Sequence, residues 1–238
     1  MEADVFVSGG GIAGMIAALA FERAGLSVIC ADPVPSVTAP EECGADLRST
    51  AFLQPSKSFL QSIGIWAKLA EFAMPLQVMR IVDAGGSTEP PVIRVIKEFQ
   101  SSDISDQPFG WNVPNLISRR EILKSISDAP KVIFLPGVCT VSLFTRENEA
   151  RIKLSNGQKI RARLVIAADG RASFVRQNAK ISVITKRFDQ KALAFSVTHP
   201  IPHKNVSTEI HRNGGPFTLV PLPDREGSPA SAIVWMET

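Results

Sequence analysis

The feature that most constrains this chain is a glycine cluster set between an apolar stretch and a helical pattern. Val5-Phe6-Val7 suits a short strand buried on both faces, and Gly9-Gly10-Gly11-Ile12-Ala13-Gly14 follows it directly. The spacing GxGxxG is satisfied by Gly9, Gly11 and Gly14. Residues 12–24 then read as a helix, with Gly25 as the residue just past its end. Leu26-Ser27-Val28-Ile29-Cys30 reads as a second strand, and Asp32 is expected just beyond it. Strand, glycine turn, helix, strand and acidic residue form the opening of a parallel α/β sheet.

Each residue of the cluster has a physical task in such a unit. Gly9 permits the tight turn, Gly11 lets the backbone approach a pyrophosphate, and Gly14 lets the helix lie close on the strand. The N–H groups at the start of the helix, from Ile12 and Ala13, would face the phosphates, where the helix dipole favours negative charge. Asp32 would accept hydrogen bonds from the adenosine ribose, and its charge disfavours a 2′-phosphate there. The motif alone does not separate FAD from NAD.

Composition narrows the alternatives. The 238 residues are 45% hydrophobic and 21% charged, an ordinary balance for a folded globular chain. A formal net charge of +3, without basic runs and interleaved aromatics, gives no footprint for nucleic acid. Residues 5–30 are apolar enough to raise a leader or membrane anchor. The glycines at 9–11, Glu22 and Arg23 interrupt them before the roughly 20 apolar residues a spanning helix needs. Cys30, Cys43 and Cys139 lack metal-ligand spacing and read as reduced thiols of a cytoplasmic protein. His199 and His203 have helical spacing, but Pro200 and Pro202 break any helix between them, so no metal site is expected.

Farther along, a proline-containing loop at 33–40 precedes Ala45-Asp46-Leu47-Arg48-Ser49. Phe59, Leu60, Ile63, Trp66 and Leu69 then read as a helical pair broken at Gly64. Arg48 is either a solvated arginine or a partner for phosphate charge, to which its fork geometry is suited. Residues 78–83 and 92–96 look like hairpin strands, as do 151–154 and 158–162 around Ser155-Asn156-Gly157. A further strand at 164–168 runs into Asp169-Gly170-Arg171-Ala172-Ser173. Asp169 and Gly170 are either a plain turn or part of the ligand-binding edge of the sheet.

Taken together, GGGIAG near residue 10, DLRS at 46–49 and ADGRASFVR at 168–176 resemble the p-hydroxybenzoate hydroxylase class of FAD-dependent aromatic hydroxylases. The stretch FGWNVPN at 109–115 with Arg120-Glu121-Ile122-Leu123 is similar to the UbiH-type subgroup of ubiquinone-biosynthesis hydroxylases. So is the series from Phe188-Asp189-Gln190 through His203, Gly215-Pro216-Phe217 and Pro221-Leu222-Pro223 to Val234-Trp235. The resemblance implies FAD held by Gly9, Gly11, Ile12, Ala13, Gly14, Asp32, Arg48, Arg120, Asp169 and Gly170. It implies NAD(P)H as a transient reductant meeting the Asp169-Gly170 motif. The substrate it implies is a small aromatic compound, a polyprenylated phenol in the subgroup. That substrate favours a peripheral encounter at the inner membrane face and other ubiquinone-biosynthesis proteins as partners.

The resemblance also sets the expected architecture. It is α/β, with a doubly wound, Rossmann-like FAD-binding domain at 1–75 and 105–180. A mostly antiparallel β substrate domain at 76–104 and 181–238 interrupts it. The family's second flavin motif, Gly-Asp-Ala-x-His with a proline-glycine loop, does not occur in this sequence, which therefore reads as a C-terminally truncated, N-terminal part. Exposed apolar surface is expected as a consequence. The chain has no tyrosine, so a tyrosine proton relay is excluded for the residues present, and no catalytic acid or base is named. Two other functional classes fit the residues. One is a non-catalytic FAD- or nucleotide-binding remnant; the other is a different oxidoreductase on the same fold.

Overall fold

The structure is a computed structural model that describes residues 1–35, 37–86 and 91–237. In chain order the first elements are β1 (Glu2–Ser8), α1 (Ile12–Arg23), β2 (Val28–Asp32), β3 (Ser49–Leu53), α2 (Gln54–Ser62) and α3 (Trp66–Leu69). Next come β4 (Met74–Leu76), β5 (Val78–Asp83), β6 (Val95–Gln100), β7 (Gly110–Pro114), α4 (Asn115–Ser127) and β8 (Val132–Pro136). The chain continues with β9 (Thr140–Thr145), β10 (Ala150–Leu154), β11 (Lys159–Ala167) and α5 (Phe174–Asn178). It ends with β12 (Lys191–Thr198), β13 (Val206–Arg212), β14 (Gly215–Arg225) and β15 (Ser228–Glu237). Two compact units result, Met1–Gly44 with Ser118–Thr185 and Ala45–Ile117 with Lys186–Thr238.

The first unit is built on a six-stranded sheet of order β8-β2-β1-β11-β10-β9. β8, β2, β1 and β11 are parallel, and β11, β10 and β9 are antiparallel. The parallel order reverses at β1, with β2 on one side and β11 on the other. This is the topological switch point, where open α/β sheets bind ligands. Val5, Phe6 and Val7 are no more than 1% exposed, as a parallel strand covered on both faces requires.

Helix α1 presents Gly14, Met15, Ala18 and Leu19 inward, one face at helical spacing. It ends in a Schellman arrangement: Gly25 N–H reaches the Glu22 carbonyl, Leu26 N–H reaches the Phe21 carbonyl, and Gly25 has φ +90°. Because the cap takes up Leu26, β2 begins at Val28 and extends to Asp32. Asp32 is thus the last residue of the strand, not one beyond it. The Asn156-Gly157 turn joins β10 to β11, with Gly157 at φ +87° and its N–H on the Leu154 carbonyl. The strands expected separately at 158–162 and 164–168 are one continuous strand, β11.

The second unit holds a six-stranded sheet of order β12-β15-β14-β13-β5-β6, antiparallel except where β13 runs parallel to β5. A small antiparallel sheet, β3-β7-β4, belongs to the same unit. Its buried Asn112 donates from Nδ2 to the Pro221 carbonyl at 2.9 Å and ties it to β14. Residues 45–75 and 105–117, expected with the nucleotide-binding segments, therefore pack with the second unit. Gly64, at φ +75°, separates α2 from α3 as its position implied. The expected hairpin strand at 92–96 lies later, at Val95–Gln100, and every residue of it is exposed. Part of the turn before it, 87–90, falls outside the described residues, as does Ser36 of the proline-containing loop. Among the described residues no helix is long and apolar enough to cross a membrane.

Candidate nucleotide site

Ser8, at the carboxyl end of β1, hands the chain to a turn that only glycines can make. Gly9 has φ +107°, and a Cβ there would come 2.2 Å from the Ala168 carbonyl oxygen. A Cβ on Gly14 would come 1.8 Å from the Gly9 carbonyl oxygen. The two glycines let α1, the turn and the end of β11 meet at backbone distance. Gly9 N–H donates to the Ala31 carbonyl and Ala168 N–H to the Ser8 carbonyl, so β1, β2 and β11 clamp the turn from both sides.

Gly11 differs from both. It is the N-cap of α1 with φ −68° and ψ 177°, extended backbone open to any residue, and, its chain neighbours aside, no atom of the described residues lies within 4 Å of where its Cβ would stand. Neither conformation nor packing calls for glycine there. The open space at position 11 leaves room for a group from outside the protein to approach the start of α1. No side chain caps α1 and no acidic residue occupies its first turn, so the N–H groups at its start keep the partial positive charge of a free helix end. The residues thus fit a pyrophosphate, and a larger residue at position 11 would fill its cradle.

Asp32 stands beside this turn. Its Oδ2 accepts from Gly10 N–H at 2.6 Å, its Oδ1 accepts from Val34 N–H at 2.8 Å, and its carbonyl accepts from Val138 N–H. An ionised carboxylate offers about four lone-pair positions, so acceptor capacity remains for ribose hydroxyls. Beneath lies Cys30, fully buried, its thiol pushed up to about 12 by desolvation and then by the charge of Asp32. At the other side of the switch point Asp169 turns inward. Its carboxylate accepts from the Ser173 hydroxyl and from Val175 N–H at 3.1 Å, and Ser173 Oγ accepts from Arg176 N–H at 3.0 Å. Asp169 and Ser173 together cap α5, while Gly170, exposed at φ +85°, makes the turn.

Gly9, Gly11, Ile12, Ala13, Gly14, Asp32, Asp169 and Gly170 are thus gathered at one edge of one sheet. Arg120 lies in the same unit on α4, where its Nε donates to Glu121 at 2.7 Å and Lys124 reaches the same carboxylate at 2.9 Å. Arg48 belongs to the second unit, where it grips Asp46 through Nε and Nη2 at 2.7 and 2.8 Å. Asp46 also accepts from Asn115, whose Oδ1 takes the Thr50 hydroxyl. Two site residues were not foreseen from the sequence. Gly10 donates to Asp32, and Phe134 of β8 lies against Gly10. The third consecutive glycine was the available signal for the first; nothing local marks the second. The histidines are occupied elsewhere: His199 with Ser231, His203 with the Leu222 carbonyl and His211 with Glu209.

A family model described as an FAD binding domain matches residues 2–236. Ubiquinone hydroxylase UbiL of Rhodospirillum rubrum is 31% identical over 235 residues, covering 99% of this chain and 52% of that protein. The 3-demethoxyubiquinol 3-hydroxylase of Escherichia coli is 26% identical over 238 residues, covering 99% of this chain and 57% of that protein. Among solved structures, p-nitrophenol 4-monooxygenase PnpA of Pseudomonas putida superposes with a TM-score of 0.79 at 17% identity. That match covers 100% of this chain and 58% of PnpA, and it shows likeness of fold. The chain spans about half the length of the curated relatives it matches. Matched by the family model over residues 2–236, with a glycine turn shaped for a pyrophosphate at its switch point, the chain belongs to the FAD-binding domain family.

Proposed function

We propose that this chain serves an FAD-dependent monooxygenase that uses NAD(P)H and dioxygen to hydroxylate an aromatic ring, with ubiquinone precursors as the substrate class. The observation that carries the reading is Gly11, a glycine at an uncapped helix start with open space where a side chain would be. FAD, when bound, supplies the redox chemistry with dioxygen that amino-acid side chains lack. The chain's own residues hold it. Gly11 leaves the pyrophosphate free to approach the N–H groups of Ile12 and Ala13, and Gly9 and Gly14 keep the turn compact. Asp32 accepts from the ribose hydroxyls. Asp169 and Gly170 form the wall at the end of β11 where the reductant passes. Arg120, balanced by Glu121, offsets phosphate charge; Arg48, balanced by Asp46, belongs to the second unit, and a part for it in holding FAD is what the resemblance implies.

The substrate class comes from the names of the relatives, two of which act on ubiquinone or its precursors. A polyprenylated phenol calls for a peripheral encounter with the inner membrane face and for neighbours in ubiquinone biosynthesis. The first test is the visible absorption spectrum of the purified chain with FAD. Flavin bands that survive desalting and are lost in Gly11→Val support the reading, and phenol-stimulated NAD(P)H oxidation would extend it to the activity. A chain that stays colourless would overturn flavin binding by this polypeptide and favour a nucleotide-fold remnant.

A further inference from the structure

Gly10 needs no left-handed backbone, yet it has no room for a side chain. A Cβ at position 10 would lie 2.8 Å from Phe134 Cε2, 3.0 Å from Phe134 Cζ and 2.9 Å from Asp32 Cβ. Phe134 pairs in register with Cys30 across β8 and β2, and Pro136 pairs with Asp32, which places its ring on the stretch of β2 that ends in the carboxylate. The ring edge therefore closes over the buried Gly10, whose N–H bonds Asp32 Oδ2 at 2.6 Å. That hydrogen bond is part-buried, and a hydrogen bond partly screened from water meets less competition than an exposed one.

We propose that Phe134 is a positioning residue for nucleotide recognition: its ring, seated on Gly10, locks the Asp32 carboxylate in the orientation that accepts the adenosine ribose hydroxyls. The proposal rests on the nucleotide reading of this site and deepens it. Phe134 acts through Asp32 and need not touch the nucleotide. Removing the ring leaves Asp32 in place but admits water to the Gly10–Asp32 bond and lets the carboxylate turn.

The test is the ratio of affinities for ADP and 2′,3′-dideoxy-ADP, measured by calorimetry on the chain without activity assays. The unaltered chain should prefer ADP by about tenfold, the worth of a hydrogen bond to a charged acceptor. Asp32→Ala sets the ratio expected when recognition is lost. Phe134→Ala should bring the ratio near that value, whereas Phe134→Leu, which keeps most of the volume over Gly10, should retain it. General loss of stability would weaken both nucleotides alike and leave the ratio unmoved. If Phe134→Ala melts below the assay temperature, Phe134→Val, suited to an edge strand, carries the same expectation. A ratio unchanged in Phe134→Ala, or in Phe134→Val where that variant replaces it, overturns the positioning role. An unaltered chain that binds neither nucleotide overturns the nucleotide reading itself, and the proposal falls with it.

Discussion

Gly14 of α1 passes so close to Gly9 that the Gly9 carbonyl oxygen occupies the space a Cβ on Gly14 would need, at 1.8 Å. Gly11, three residues earlier, meets nothing within 4 Å. The fold thus requires the one glycine of the motif, while the other borders open space that the proposed pyrophosphate would use.

The contrast predicts opposite outcomes for the same substitution. Gly14→Ala should cost about 3 kcal/mol of stability, because backbone must shift to relieve the overlap. Gly11→Ala should cost about 1 kcal/mol, the usual difference between glycine and alanine at an N-cap. FAD binding should be lost in Gly11→Ala despite the intact fold. Thermal melts and a flavin titration on the two variants separate these effects. Equal destabilisation by both would contradict the division of roles.

Asp169 also serves the fold, since both its oxygens are engaged in capping α5. Ser173→Ala removes the hydroxyl that accepts from Arg176 N–H and should destabilise the α5 end by about 1 kcal/mol. Hydrogen exchange at the Val175 and Arg176 amides should quicken about fivefold, while β1 and β2 amides stay protected. Asp169→Asn should show the same local signature. A loss of flavin or reductant binding in that variant is then informative only beyond what Ser173→Ala produces.

The residues that were legible in the sequence are those whose roles are set by near neighbours. Gly9, Gly14, Gly25, Gly64 and Gly157 each serve a turn or close approach within a few residues or one strand of their own position, and their spacing announces it. The places of Asp32 and β11 were nearly right, with errors of the kind local pattern leaves. The Schellman cap displaced the start of β2, and no turn residue separated 158–162 from 164–168. What pattern could not supply was pairing across long sequence distance. Phe134 reaches Gly10 only because β8 registers on β2. Residues 45–75 join the second unit because β3 and β4 find β7, and Asn112 finds β14. Neither partner carries a local mark.

The Asp46–Arg48 pair should give the second unit a pH-dependent increment of stability. The hydrogen-bonded Arg48 guanidinium, assisted by Asn115, holds the Asp46 carboxyl down at about 2 against a usual value near 3.8. A carboxyl depressed by folding stabilises the fold above its unfolded pKa, and that contribution disappears as pH falls through the folded value. The window therefore runs from about pH 4 to about pH 2. With the Arg48 side chain 66% exposed, solvent screening reduces the increment to roughly 1 kcal/mol. Asp46→Asn should lower stability by that amount at neutral pH and match the unaltered chain near pH 2. A difference that persists in acid would place the effect in packing instead of charge.

Cys30 offers a readout of the nucleotide turn itself. Its thiol is fully buried, contacts the Gly9 carbonyl at 3.8 Å and is pushed up to about 12, so almost no thiolate exists at pH 8 while the turn is closed. Cys43 is exposed and Cys139 partly so. A thiol reagent at pH 8 should modify Cys43 first, Cys139 next and Cys30 only as the turn opens. On the proposed reading that FAD binds the closed turn, it should slow modification of Cys30 by the factor with which it suppresses opening, about a hundredfold at a concentration one hundred times Kd. Cys43 should be unaffected. Equal slowing at both cysteines would indicate protection of the chain as a whole. No slowing at Cys30 would mean that the nucleotide does not grip the Gly9–Gly14 turn.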